Sequence, residues 1–128
     1  VDSRSAFDID NRRGKLGEDL VGTFVSALAN SRLEVKTDFR AGETGNVYIE
    51  THQKLQSGQV VASGLNVSEA EFYCLAGPKG NGFIVIDSDV LRRLAADAPG
   101  RTIANANINS NPTNGRIVRL QDILGEIF

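Results

Sequence analysis

The run Glu34-Val35-Lys36-Thr37-Asp38-Phe39-Arg40-Ala41-Gly42-Glu43-Thr44-Gly45-Asn46-Val47-Tyr48-Ile49-Glu50-Thr51-His52 alternates with period two on both sides of one interruption. Before it, Leu33, Val35, Thr37, Phe39 and Ala41 share one face, and Glu34, Lys36, Asp38 and Arg40 share the other. After it, Val47, Ile49 and Thr51 oppose Asn46, Tyr48, Glu50 and His52. Successive side chains of a strand point to opposite faces, so each half predicts a half-buried strand. Gly42-Glu43-Thr44-Gly45 predicts a hairpin turn between them, with Gly45 in the left-handed position. With Gly42 opposite Asn46, the register places Phe39 against Ile49, Ala41 against Val47, Asp38 opposite Glu50 and Lys36 beside His52.

Upstream, Leu16, Leu20, Val21, Phe24, Val25 and Leu28 recur at three- and four-residue spacing, which predicts an amphipathic helix from Lys15 to Asn30. At 100° per residue Glu18 falls at the edge of the apolar stripe, overlooking the sheet, and Asp19 points nearly opposite. Downstream, Val60 to Ala62 reads as a third strand. Phe72 to Ala76 and Gly82 to Ile86 read as two more, joined by the turn Gly77-Pro78-Lys79-Gly80-Asn81. Ser88 is placed to cap a helix through Ala96. The asparagine-rich segment from Asn105 to Asn114 reads as a loop, followed by a strand at Arg116 to Arg119 and a terminal helix.

A chain of 128 residues fits one domain with a core of its own. The expected organisation is a flexible segment over residues 1–13 and a single α/β domain over residues 14–128, with a central mixed sheet flanked by helices. Hydrophobic content of 41% and charged content of 23% place the chain among ordinary globular proteins. No apolar run approaches the ~18 residues of a membrane span, so no membrane partner is expected. The lone Cys74 and lone His52 exclude an internal disulfide and a zinc finger built from those ligands. With a polar stretch from Val1 to Asp10 in place of a signal peptide, a reducing cytoplasm is the expected setting. A net charge of −2 gives no global attraction to a polyanion, but basic residues cluster locally at Arg12, Arg13 and Lys15.

Two carboxylates facing each other repel unless a proton or cation lies between them. Asp38 and Glu50 would supply the one or two carboxylates that a magnesium ion takes alongside waters and phosphate oxygens, and Glu18 would add a third through water. A cation so held polarises a phosphoryl oxygen and lowers the pKa of a bound water, with Lys36 or His52 to orient that water. The plainer alternative is a solvated charge face on an edge hairpin. A Ser-His-Asp hydrolase lacks its Gly-x-Ser-x-Gly elbow, and Gly77 to Gly82 lacks the Gly-Lys-Ser/Thr ending of a phosphate-binding loop.

Glu18 on the first helix, Asp38 on a strand and Glu50-Thr51-His52 on the next resemble the PD-(D/E)XK nuclease superfamily. The run from Glu34 to Glu50 is similar to its small phage-type members, and the resemblance covers Gly14 to Ile86. It implies a restriction-endonuclease-like fold and magnesium- or manganese-dependent DNA cleavage by an endonuclease, in some members on branched DNA such as Holliday junctions. A homodimer is a further expectation, and for a phage protein the cytoplasm would be the host's. Glu18, Asp38 and Glu50 would hold the metal with help from the Thr51 carbonyl, while Arg12, Arg13, Lys15 and Arg40 would contact DNA. The family's lysine, two residues beyond the strand glutamate, is His52 here, and Lys36 is the candidate substitute. The rival expectation is an inactive module on the same scaffold that binds nucleic acid or protein.

Overall fold

The structure, a computed structural model, describes residues 3–104 and 111–128, with the backbone alone for residues 3–11 and 13. It divides into two compact units, residues 1–31 and residues 32–128.

The first unit is helix α1, Ser3–Ala29. It starts well before the expected Lys15. No proline interrupts residues 3–14, and Gly14 alone costs a helix only about 1 kcal/mol relative to alanine. Its end is closed by side chains, Asn30 Nδ2 donating to the Ser26 carbonyl at 3.0 Å and Ser31 Oγ to that of Ala27 at 2.6 Å. Leu16, Leu20, Val21 and Val25 of the apolar stripe are exposed.

The second unit has α/β architecture with its strands in two sheets. Strand β1 (Leu33–Thr37) is followed by the short helix α2 (Ala41–Thr44), then β2 (Asn46–Lys54) and β3 (Val60–Ala62). A 3-10 turn at Gly64–Asn66 leads to β4 (Phe72–Ala76), β5 (Phe83–Asp87), α3 (Ser88–Ala96), β6 (Gly100–Ile103), β7 (Thr113–Arg119) and α4 (Leu120–Ile127). One sheet has the order β1-β4-β5, with β1 parallel to β4 and β4 antiparallel to β5. The other is antiparallel in the order β3-β2-β7-β6.

The expected hairpin does not form. β1 and β2 belong to different sheets, and Leu33 to Thr37 pair with Phe72 to Ala76 instead. Residues 41–44 coil into α2, and Gly45, at φ 73°, closes that turn by donating its N–H to the Ala41 carbonyl at 2.8 Å. A left-handed glycine suits a helix C-terminus as well as a hairpin loop, so the same sequence signal serves both. Phe39 is therefore not packed against Ile49 but stands 73% exposed.

Other expectations hold with shifted edges. β3, β4 and α4 occur where the pattern places them. The α3 cap is Asp87 rather than Ser88, its carboxylate accepting the N–H groups of Asp89 at 2.8 Å and Val90 at 3.4 Å. β7 begins at Thr113, inside the expected loop, whose residues 105–110 lie outside the described residues. The core of the second unit runs between the sheets and under α3 and α4. Val47, Ile49 and Val118 meet Tyr73, Leu75 and Ile86, with Leu91 of α3 and Ile123 of α4 fully enclosed. The described residues include no helix long and apolar enough to cross a membrane.

Candidate functional site

β3 pairs only with His52 to Lys54, so among the described residues the edge of β2 from Asn46 to Glu50, on the side away from β7, has no strand beside it. The end of β1 approaches this open edge. Asp38 continues the β1–β4 pairing through its N–H to the Ala76 carbonyl at 2.9 Å. Its side chain then turns to the other sheet, where Oδ2 accepts the Tyr48 N–H at 3.2 Å, while Oδ1 accepts the Arg40 N–H at 2.9 Å. The half-buried carboxylate thus takes the place of a missing strand for one edge amide.

A cavity of about 690 Å³ opens here, and Lys36, Asp38, Arg40, Tyr48, Glu50 and Arg101 line it. The sequence-derived groups Lys36, Asp38, Glu50 and Arg40 therefore share one cavity, although Asp38 and Glu50 reach it from different sheets and not as cross-strand partners. Lys36 Nζ lies 3.0 Å from Glu34 Oε1. Both sit on the same face of β1, two residues apart, so the glutamate-x-lysine spacing sought at Glu50 and His52 is present at Glu34 and Lys36.

His52 is not part of this cavity. Glu50 pairs with Gly115 and His52 with Asn114, so Thr51 is an extra residue in β2, a bulge. Paired residues share a face and consecutive residues of β7 alternate, so His52 points to the side opposite Glu50. Its Nδ1 lies 3.0 Å from Thr51 Oγ1. The Thr51 carbonyl, expected near a metal, accepts the Ser63 N–H at 2.9 Å.

Arg12, Lys15 and Glu18 are exposed on α1, in the first unit, whereas the cavity belongs to the second. The Arg13 side chain lies outside the described residues.

Chain comparison adds no relative. No family model, curated protein or solved structure matches it.

The floor of the cavity depends on two glycines. A Cβ on Gly115 would stand 2.3 Å from the Ile49 carbonyl oxygen and 2.7 Å from the Tyr48 ring, so that ring lies directly against the bare backbone of β7. Its hydroxyl meets Thr113 Oγ1 at 2.8 Å. Gly64, at φ 53°, approaches the Glu50 backbone so closely that a Cβ would be 2.3 Å from its carbonyl oxygen. Burial raises the Tyr48 pKa above its ordinary value, and the Glu50 charge adds to the effect against the opposing influence of Thr113 and Arg101.

Arg101, Glu34 and the Tyr48–Gly115 contact were not singled out by the sequence reading. β6 is four residues long, too short for alternation to announce it, so Arg101 carried no signal. Glu34 did carry one, in its spacing from Lys36.

Proposed function

We propose that residues 32–128 carry a nuclease site of PD-(D/E)XK type on a restriction-endonuclease-like scaffold, which hydrolyses DNA phosphodiester bonds with magnesium or manganese. The observation that supports this reading is the meeting of Lys36, Asp38 and Glu50 in one cavity from two different sheets. Groups 12 and 14 residues apart along the chain are held there by a cross-sheet hydrogen bond and a close-packed glycine, a costly arrangement for a mere solvated face.

The donor set suits a hard cation. Asp38 and Glu50 offer carboxylate oxygens, and each Asp38 oxygen retains a lone pair after accepting one backbone N–H. Among the described residues no group of three or more His, Cys, Asp or Glu is placed to hold a metal, so these two carboxylates would be completed by water and phosphate oxygens, as magnesium prefers. A bound cation would supply Lewis-acid stabilisation of the phosphoryl oxygens and a more acidic water. Lys36 donates a hydrogen bond that orients the attacking water, while its pairing with Glu34 steers the ammonium along the β1 face. Arg40 holds the flanking DNA backbone. Branched DNA as substrate and a homodimer acting in the cytoplasm complete this reading.

A second reading is a module that binds nucleic acid without cutting it. It is favoured by the two N–H groups already bound to Asp38, which give that carboxylate a structural task.

Labelled single-stranded, duplex, flap and four-way-junction DNA, incubated with magnesium or manganese, separates the two. The nuclease cuts at least one of these, and Glu50→Gln abolishes cutting while leaving binding in place. A chain that binds DNA but leaves every substrate whole under both metals is the binding module.

A further inference from the structure

The four-stranded sheet has two unlike faces. Val47, Ile49 and Val118 turn into the core. The residues that alternate with them, Tyr48 and Glu50 on β2, Gly115 and Ile117 on β7, and Arg101 and Ile103 on β6, share the opposite face. Of these six only Gly115 is buried, while Arg101 is exposed and the rest are half-buried. The Tyr48 ring occupies the place of a Gly115 side chain, 2.7 Å from where its Cβ would stand. From there the hydroxyl reaches Thr113 Oγ1 at 2.8 Å, two residues further along β7. The ring therefore lies down along β7 rather than standing off the sheet, with one side on backbone and the other turned outward.

Covering a strand glycine is reason enough for an aromatic residue at position 48. It gives no reason for Arg101. That residue pairs with Gly115, so its side chain rises beside the ring from a strand roughly 5 Å away. It makes no ion pair or side-chain hydrogen bond among the described residues. Glu50 flanks Gly115 on the other side. The open face thus sets a ring next to a five-donor guanidinium. An inorganic phosphate or an acidic side chain uses the guanidinium alone, and a neutral sugar uses the ring alone. A nucleotide uses both, since every base has a face that stacks on an aromatic ring and its phosphate suits the guanidinium fork. The nucleotide has to be unpaired, because a base inside a duplex has both faces stacked on its neighbours.

We propose that Tyr48 and Arg101 form a platform for one unpaired nucleotide, with its base on the outward side of the ring and its phosphate on the guanidinium, beside Glu50. That the nucleotide belongs to a DNA strand rests on the nuclease reading. The platform itself requires no turnover. It favours DNA with a single-stranded stretch near the cut, which a flap or an open branch supplies and an intact duplex does not.

The test uses the full chain without divalent cation, so that nothing is cut. It compares a short oligothymidylate with a strand of the same length and charge whose sites are abasic. The chain has two tyrosines and no tryptophan, so its ultraviolet emission is that of tyrosine, and a base stacked on Tyr48 quenches it. The oligothymidylate is expected to quench and to bind at least about fivefold tighter than the abasic strand, the lower end of what one stacked base contributes. Arg101→Gln weakens binding of both strands. Tyr48→Leu loses the preference for bases. Tyr48→Phe keeps that preference but loses the quench, which assigns the stacked ring to Tyr48 rather than to the buried Tyr73. Should Tyr48→Leu melt too low to assay, Tyr48→Phe decides. Equal affinity for the two strands, or a quench that survives in Tyr48→Phe, means that no base rests on this ring. Thymidine monophosphate binding as tightly as the strand would overturn a strand as the occupant. If the preference is present but magnesium and manganese bring no cutting of any DNA, the platform stands and the nuclease reading falls. If the chain cuts intact duplex as readily as flaps and shows no preference for bases, the platform falls alone.

Discussion

Asp38 Oδ2 accepts the amide of Tyr48 at 3.2 Å, joining the end of a strand in one sheet to the open edge of a strand in the other. A carboxylate in that position has two tasks, holding the sheets in register and presenting charge to the cavity, and substitution removes both together.

Asp38→Ala is therefore expected to lower stability by about 1.5 to 3 kcal/mol, the usual cost of losing hydrogen bonds to a charged group, as well as to end activity. Glu50→Gln keeps shape and backbone packing and is expected to stay within about 0.5 kcal/mol of the parent. Urea unfolding of both variants beside a cleavage assay checks the contrast. Equal stability of the two would show that the Asp38 bonds contribute nothing to the fold.

Gly115→Ala sets a methyl group against the Ile49 carbonyl at 2.3 Å and the Tyr48 ring at 2.7 Å. Backbone cannot give way cheaply, so a loss of about 1 to 3 kcal/mol is expected, seen as a fall of several degrees in melting temperature. Gly42→Ala, with nothing within 4 Å and a place in α2, is expected to be neutral or to gain up to about 1 kcal/mol. Thermal melts of the pair measure packing against backbone freedom in one protein.

Tyr48 makes stability depend on alkaline pH. Its folded pKa lies above the ordinary 10.0, so the folded chain keeps the phenol proton longer than the unfolded chain. The resulting contribution is complete below pH 10 and is lost as pH rises through the folded value. Tyr48→Phe gives up the Thr113 hydrogen bond, costing about 0.5 to 1.5 kcal/mol near neutrality. The gap in melting temperature between parent and variant should narrow from pH 8 to pH 11, and a constant gap would contradict the assignment.

Cys74 is buried, and desolvation raises its thiol pKa. Because the thiolate is the reactive form, a disulfide reagent at pH 8 is expected to modify the native chain far more slowly than the unfolded chain. Rapid stoichiometric labelling without denaturant would mean that β4 opens readily.

The sequence disclosed the strands more faithfully than their partners. Val47 and Ile49 are buried and Tyr48 and Glu50 are half-buried, as alternation requires. The partner of β1 is β4, whose first residue follows 39 positions after Leu33, and a parallel pairing across such a distance leaves no local mark. The outward set Leu33 and Val35 looked like a core face yet is exposed, because alternation shows that two faces differ but not which is covered. Asp38, Lys36 and Glu50 line one cavity although β1 and β2 do not pair, because the Asp38 carboxylate bonds the Tyr48 amide across the two sheets. The bulge at Thr51, which the letters of β2 do not reveal, turns His52 away from the Glu50 face.

The edge of β2 that lacks a paired strand among the described residues carries a further cost. A bare strand edge is a template on which a second chain can extend the sheet, and natural proteins guard such edges with charge. Asp38 stands on this one, so its loss would expose the Tyr48 amide and invite self-association. Clumping of that variant during expression would trace to the strand edge rather than to chemistry.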